Sequence, residues 1–182
     1  YWPMKRIKKN TFITFISVFL YFNFLNSQQL SNIDNNDKPI EIFADDGIEW
    51  HKNKNKYVAV GNAKAVSGTL SLESDIIEAF YQEKESSSMN ITEVRAKKNV
   101  IVEDNKMRIT GGEYAEYKIS KDYFLINGKN IILTSEKNTL KSNKKLEYWR
   151  SKNIAIATGK AQAKKDQEFL VLADKLVWYF HD

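Results

Sequence analysis

The chain has 182 residues, of which 42% are hydrophobic and 28% charged, with two histidines, two prolines, seven glycines and no cysteine. That composition excludes a disulfide scaffold, a Cys/His zinc centre and a disordered or collagen-like chain. The formal net charge of +5 sits largely at the front of the chain, so its meaning depends on what happens to that front.

Met4 reads as the initiator, with Tyr1-Trp2-Pro3 ahead of it a translation-frame artefact. "KRIKK" (residues 5–9) and the apolar "TFITFISVFLYFNFL" (residues 11–25) lead to the small Ser27. A basic start, an apolar middle and a small residue at the end predict an export signal over 1–27. As a helix the apolar stretch would reach about 22 Å, short of the ~30 Å hydrocarbon core. The alternative is a short anchor that stays attached. Removing Lys5, Arg6, Lys8 and Lys9 from the 28 basic groups leaves 24 against 23 acidic ones. The exported domain is therefore nearly neutral, and no nucleic-acid partner is implied. Residues 28–38, "QQLSNIDNNDK", are polar and unpatterned and predict a linker.

From Pro39 to Asp182 the chain alternates with period two. "YVAVGNAKAV", "GTLSLES", "NVIVED", "KMRITGG", "KNIILTS" and "KNIAIATGKAQA" read as short half-buried strands separated by Asn, Asp, Lys and Gly. No sustained helical period appears. A phrase recurs: acid, any, apolar, any, apolar or aromatic. It stands at Asp46-x-Ile48-x-Trp50, Asp75-x-Ile77-x-Ala79, Glu113-x-Ala115-x-Tyr117 and Asp174-x-Leu176-x-Trp178. Lys144-x-Leu146-x-Tyr148 is a copy that has lost its acid. Fifteen residues after Asp46, Glu113 and Lys144 come Gly61, Gly128 and Gly159. "VGNAKA" (60–65) is nearly repeated as "TGKAQA" (158–163), 98 positions on. A unit of about 30 residues that keeps its side-chain phase puts one apolar column on one face in every copy. The second copy is longer, and its extra residues, around "QEKESSSMN" (82–90), predict a protruding turn.

The fold expected is all-β: many short strands in two facing sheets, as in a jelly roll or short β-solenoid. Its inward column is read as Ile48, Trp50, Val58, Val60, Leu70, Leu72, Ile77, Ala79, Tyr81, Val100, Val102, Met107, Ile109, Ala115 and Tyr117. It continues through Ile131, Leu133, Leu146, Tyr148, Ile154, Ile156, Phe169, Val171, Leu176 and Trp178. Such a column is either ordinary core or the lining of a slot able to hold an apolar chain. No Ca²⁺ loop, Walker loop, G-x-S-x-G or His-based triad is present, so neither an enzyme nor a cofactor is expected.

With "FADDGIEW", "VAVGNAKA", "RITGGEYAEY", "NGKNIILTSEKNTLKSNKKLEYW" and "VLADKLVWYF" on the page, the domain resembles the LptA/OstA family of lipopolysaccharide-transport proteins. The likeness runs from about Pro39 to Phe180. It departs at Lys144 and at Lys98-Asn99, where a Gly-Asn is usual. The resemblance implies an incompletely closed, twisted β-jelly roll of short antiparallel strands, a periplasmic bridge whose concave inside, the column above, binds the acyl chains of lipid A. It implies handover from an LptC-like inner-membrane component to an LptD-like outer-membrane translocon. It also implies head-to-tail self-association through the end strands, "IEIFA" (40–44) and "KLVWYF" (175–180). Lys97-Lys98, Lys144-Lys145 and Lys164-Lys165 are candidates for meeting phosphates at the rim. Three alternatives stay open: a membrane-anchored relative of the LptC kind, the amino-terminal domain of the outer-membrane assembly protein, and a structural or adhesive β-solenoid without a lipid ligand.

Overall fold

The structure, a computed structural model, describes residues 39–83, 89–136, 138–165 and 169–180. The expected signal and linker lie outside the described residues. Fourteen strands are described: β1 (Glu41–Phe43), β2 (Gly47–His51), β3 (Lys56–Ser67), β4 (Leu70–Glu83), β5 (Met89–Lys97), β6 (Ile101–Asp104) and β7 (Met107–Thr110). They are followed by β8 (Tyr114–Lys118), β9 (Tyr123–Asn127), β10 (Ile131–Ser135), β11 (Asn138–Ser142), β12 (Lys145–Trp149), β13 (Ile154–Lys165) and β14 (Phe169–Tyr179). All pairings are antiparallel, and no α-helix occurs among the described residues.

The pairings describe one sheet folded along a line into two leaves. The first leaf runs β2, β3, β4, β5, β8, β9, β12, β13, β14. The second runs β1, β3, β4, β6, β7, β10, β11, β13, β14. The four long strands β3, β4, β13 and β14 pass through both, and among the described residues no pairing closes either leaf. The described residues thus form an open jelly roll, as the resemblance implies.

The fold line follows from backbone chemistry. Residues with positive φ mark it: Gly61 and Asn62, Lys98 and Asn99, Gly111 and Gly112, Gly128 and Asn130, Gly159 and Lys160. Register shifts fall at the same place, between Val60 and Ala63 and between Thr158 and Ala161. A bulge bends and twists a strand, so these positions turn each strand from one leaf to the other. The constant acid-to-glycine spacing now has a physical meaning, because the two residues meet across an antiparallel pair. Asp46 N–H donates to Val60 O, Glu113 N–H to Asn127 O and Asn143 N–H to Gly159 O. A Cβ on Gly61 would lie 2.4 Å from Asp46 Oδ2, and one on Gly159 would lie 2.6 Å from Lys144 Cβ. The glycine makes room for its partner's side chain. Lys98 keeps the same left-handed backbone without being glycine, at a cost of roughly 1 kcal/mol.

At the far ends of the first leaf, three hairpins share one turn: a 3₁₀ turn at Lys52–Lys54, Ile119–Lys121 or Arg150–Lys152, closed by left-handed Asn55, Asp122 or Asn153. Asn and Asp tolerate that conformation best among non-glycine residues. The excursion expected at residues 82–90 lies on the β4–β5 hairpin, whose residues 84–88 are outside those described.

Candidate functional site: the slot between the leaves

Cross-strand register assembles the inner faces as continuous rows. On the first leaf the row nearest the fold line is Ile48, Ala59, Ile77, Ala96, Ala115, Ile126, Leu146, Ala157 and Leu176. The next row outward is Trp50, Tyr57, Ala79, Val94, Tyr117, Phe124, Tyr148, Ala155 and Trp178. The second leaf answers with Ile42, Ala65, Leu72, Val102, Ile109, Leu133, Leu140, Ala163 and Val171. Large side chains alternate with alanine, which lets the facing rows interdigitate at protein-core density.

Of the residues expected inside, Leu72, Ile77, Ala79, Val100, Val102, Ile109, Ala115, Tyr117, Ile131, Leu133, Leu146 and Tyr148 are buried in the slot. Leu70, Tyr81 and Met107, also expected inside, are buried; Val171, Leu176 and Trp178 face the slot and are half-buried, while Phe169, at the start of β14, is 58% exposed. Ile48 and Trp50 lie on the inward rows at the open amino-terminal end, 48% and 51% exposed. Four expectations are corrected: Val58, Val60, Ile154 and Ile156 point outward. Their neighbours Ala59, Ala155 and Ala157 take the inner positions at 0–1% exposure. Both faces of β3 and β13 are apolar, and register with the buried Ile77, Leu146 and Tyr148 sets Ala59, Ala157 and Ala155 on the inner one. The sequence reading also passed over β5 and β9, whose Val94, Ala96, Phe124 and Ile126 are buried, and over Tyr57 and Leu140. The alternation Phe124/Ile126 is the signal that marks β9.

The slot is closed in its middle and open at its ends. Ile77, Ile109, Phe124, Ile126 and Leu133 have no exposed surface, and Tyr117 stacks on Phe124 with ring centroids 4.2 Å apart. At the amino-terminal end Trp50 Nε1 donates to Tyr81 Oη at 2.9 Å beside Tyr57. At the carboxy-terminal end the leaves part around a cavity of about 420 Å³ with Met107, Tyr148, Trp178 and Phe180 in its lining.

One ion pair crosses the mouth. Arg150 of the first leaf donates from Nη1 to Asp104 Oδ2 of the second at 3.0 Å. Its Nε lies 2.9 and 3.1 Å from the two oxygens of Asp122. Tyr117 Oη donates to Asp122 and Thr69 Oγ1 to Asp104. Burial pushes the Asp104 carboxyl up, but bonds from Thr69, the Asn105 backbone and Arg150 outweigh it and hold the group below its ordinary value. Burial, reinforced by the nearby Asp104 charge, pushes the Tyr148 phenol up to about 12. Of the lysine pairs expected at a phosphate rim, Lys97 is engaged by Glu78 at 2.8 Å and Lys145 by Glu147 at 2.9 Å, both on the outer face. Lys165 instead borders the cavity. Among the described residues no group of His, Cys, Asp or Glu could hold a metal ion.

A relative from Rhizobium meliloti (strain 1021), an uncharacterized protein, is 25% identical over 131 residues. The match takes in 70% of this chain and 66% of that protein, so the chain spans about two thirds of the relative's length. The fold is similar to a crystal structure of LptH, the LptA-homologous periplasmic component of the lipopolysaccharide transport device of Pseudomonas aeruginosa. The TM-score is 0.59 at 17% identity, covering 76% of this chain and 96% of that one, a likeness of fold. Residues 41–154 match the family described as LptA/(LptD N-terminal domain) LPS transport protein. That span contains most of both leaves and the whole fold line up to Asn143, and the chain belongs to this family of LPS transport proteins.

Proposed function

We propose that this chain is a periplasmic carrier that shields the acyl chains of lipopolysaccharide between its leaves on the way to the outer membrane. The observation that supports this reading is a pair of uninterrupted apolar inner faces joined along one edge only. Each buried CH₂ of an acyl chain is worth about 0.8 kcal/mol, and the open side leaves a bulky sugar outside. The closed middle means that chains are admitted as the leaves move apart, with Arg150 and Asp104 releasing each other at the mouth. Transport of this kind needs no reacting group, in keeping with the lack of a catalytic motif in the sequence. Residues 1–27 direct export, and partners are lipopolysaccharide, an LptC-like component at the inner membrane and an LptD-like translocon at the outer.

Among the described residues no strand pairs with the outer edge of β1, β2 or β14, and edges of this kind support head-to-tail extension by main-chain pairing. β14 exposes Phe169, Leu170, Leu172, Val177 and Tyr179. The closed middle is also what a structural β-solenoid without ligand would have. Photo-crosslinking with a reactive residue at Leu146 separates the two: lipopolysaccharide attached there in the periplasm is expected. A folded, correctly exported protein that never crosslinks would establish the solenoid.

A further inference from the structure

The outer face of the first leaf changes character halfway along. The row nearest the hairpin turns begins with His51, Lys56, Phe80, Glu93 and Lys118 on β2, β3, β4, β5 and β8. Cross-strand pairing carries it on through Tyr123, Trp149, Ile154 and Tyr179 on β9, β12, β13 and β14. The first part is covered by its own charges. Lys56 and Lys97 close on Glu78, Arg95 on Glu93 and Lys118 on Glu116. The Arg95 guanidinium lies 4.4 Å from the centre of the Phe80 ring. In the second part the row carries no charge. The rings of Tyr123 and Trp149 pack 4.8 Å apart, and the row behind them adds Leu125, Ile156 and Val177 around one acid, Glu147. That acid is engaged by Lys145 at 2.9 Å and by Tyr123 Oη at 3.1 Å. Val177 and Tyr179 are 45% and 56% exposed. An antiparallel sheet usually turns a polar face to water, and an apolar patch on that face marks a contact surface.

The rim narrows what the patch meets. The turns that end its hairpins, Ile119–Lys121 and Arg150–Lys152, each finish on a lysine. Both lysines are exposed, and among the described residues neither forms an ion pair. The acid beside them, Asp122, is held by Arg150 and Tyr117. Two unengaged cations thus border a group of indole, phenol and aliphatic side chains. Such rings, apolar in body and polar at the tip, favour the headgroup level of a bilayer. Lysines next to an anionic lipid surface add attraction. A protein partner has to place carboxylates opposite both turns, whereas anionic headgroups diffuse to wherever the lysines fall.

We propose that the outer face of β9, β12, β13 and β14 rests on a phospholipid bilayer with anionic headgroups. Tyr123, Trp149 and Tyr179 lie at headgroup level, and Lys121 and Lys152 meet the phosphates. The patch is on the far side of the sheet from the slot, so it concerns where the chain sits and not what it carries.

The test uses the exported chain with vesicles of phosphatidylethanolamine and phosphatidylglycerol, and vesicles of phosphatidylcholine as the neutral probe. Lys121→Gln combined with Lys152→Gln is expected to weaken binding to the anionic vesicles by about 25-fold, roughly fivefold for each lysine. Lys141→Gln combined with Lys164→Gln removes the same charge from the exposed face of the second leaf and is expected to leave binding unchanged. A second measurement reads orientation. The chain has no cysteine, so Ser151→Cys, in the turn beside the patch, and Gln162→Cys, on the second leaf, each accept one fluorophore. Brominated lipid in the anionic vesicles is expected to quench the fluorophore at 151 and spare the one at 162, whether or not residues 1–27 remain attached. Equal losses for the two double variants, or equal quenching at the two positions, overturn the membrane contact. Vesicles that quench neither fluorophore overturn it too and leave the patch to a protein partner. The slot reading survives each of these failures, because no residue tested lies on an inner face.

Discussion

β4 and β14 occupy the same place in their repeats. Each follows a long bulged strand carrying the six-residue near-repeat, each pairs with it through both leaves, and each crosses the fold line. Their surroundings are opposite. β4 is covered on its other side by β5 and β6 and buries Leu70, Leu72, Ile77, Ala79 and Tyr81. Among the described residues β14 pairs with β13 alone and fully buries none of its side chains, leaving Leu176, the counterpart of Ile77, only half-buried. The two strands are similar in alternation and apolar content, so strand chemistry is not what separates them. What separates them is whether neighbouring strands cover them. A half-buried strand with an apolar face and a bare outer edge is one that a further strand can extend.

The largest expected effect tests that contrast directly. Ile77→Asp places an uncompensated carboxylate where no surface is exposed and should cost about 3–5 kcal/mol, read from urea unfolding of dilute protein. Leu176→Asp, at the position of β14 that corresponds to Ile77 and is only half-buried, should cost less, about 1–2 kcal/mol under the same conditions. Equal losses would mean that β14 is covered in solution even when dilute, and would end the contrast.

The two glycines of the near-repeat sharpen it. Both sit at positive φ, +82° for Gly61 and +88° for Gly159, so alanine at either is strained by roughly 1–2 kcal/mol. Their neighbours differ. At Gly61 the new Cβ meets the tip of the Asp46 side chain, which can swing away. At Gly159 it meets Lys144 Cβ and, at 3.2 Å, the Lys144 backbone nitrogen, which cannot. Gly159→Ala should therefore lower stability more than Gly61→Ala, by about 1 kcal/mol in equilibrium unfolding. The copy that looks the same in letters is less tolerant in space.

A smaller effect belongs to the carboxy-terminal mouth. The folded Asp104 carboxyl is held below its unfolded value of about 3.8. A depressed acid contributes stability that is complete above the unfolded pKa and is lost as pH falls through the folded one. Asp104→Asn should thus be less stable than the parent at pH 7, by on the order of 1.5 kcal/mol. The two should converge as pH falls below 3.8 and on through the lower folded pKa, where both carry a neutral group. Thermal unfolding from pH 2.5 to 7 gives the difference directly. A gap that stays constant with pH would assign the Arg150 contact no role in holding the leaves together.

Much of this was legible in the residues. Alternation gave the strands, and the spacing of fifteen from Asp46, Glu113 and Lys144 to a glycine gave a register that the backbone hydrogen bonds then explain. The family was readable from the same phrases. The phase of β3 and β13 was not, because "YVAV" and "IAIA" are apolar on both faces and bulk favours the wrong one. Which face wins is decided by Ile77 and Leu146 across the sheet, a contact no local window contains. The Arg150 bridge was invisible for a related reason: Asp122 meets it only once β9 pairs with β12, and Asp104 only once two leaves face each other. Where lipid sits among these residues was not readable at all from alternation, which marks an inner face and says nothing of its occupant.

The smallest effect on the folded unit concerns the bare edge itself. Phe180 N–H donates to Asn153 O on β13. Because backbone groups on a strand point alternately to its two sides, the N–H groups of Trp178 and Leu176 also face β13. Those of Val177, Tyr179 and Lys175 face the uncovered side. Val177→Pro therefore removes a donor from the edge without taking one from the β13 ladder, and an edge strand is where proline is tolerated. Stability of the dilute domain should fall by no more than about 1 kcal/mol. Association should fall further, since a neighbouring strand that pairs there loses a hydrogen bond and meets a ring. Light scattering across a concentration series would show wild type growing in mass while Val177→Pro lags behind it. A wild type that stays monomeric at every concentration would remove head-to-tail bridging for this chain. The exposed face of β14 would then have to be covered by a different protein, with the slot free to act as a shuttle.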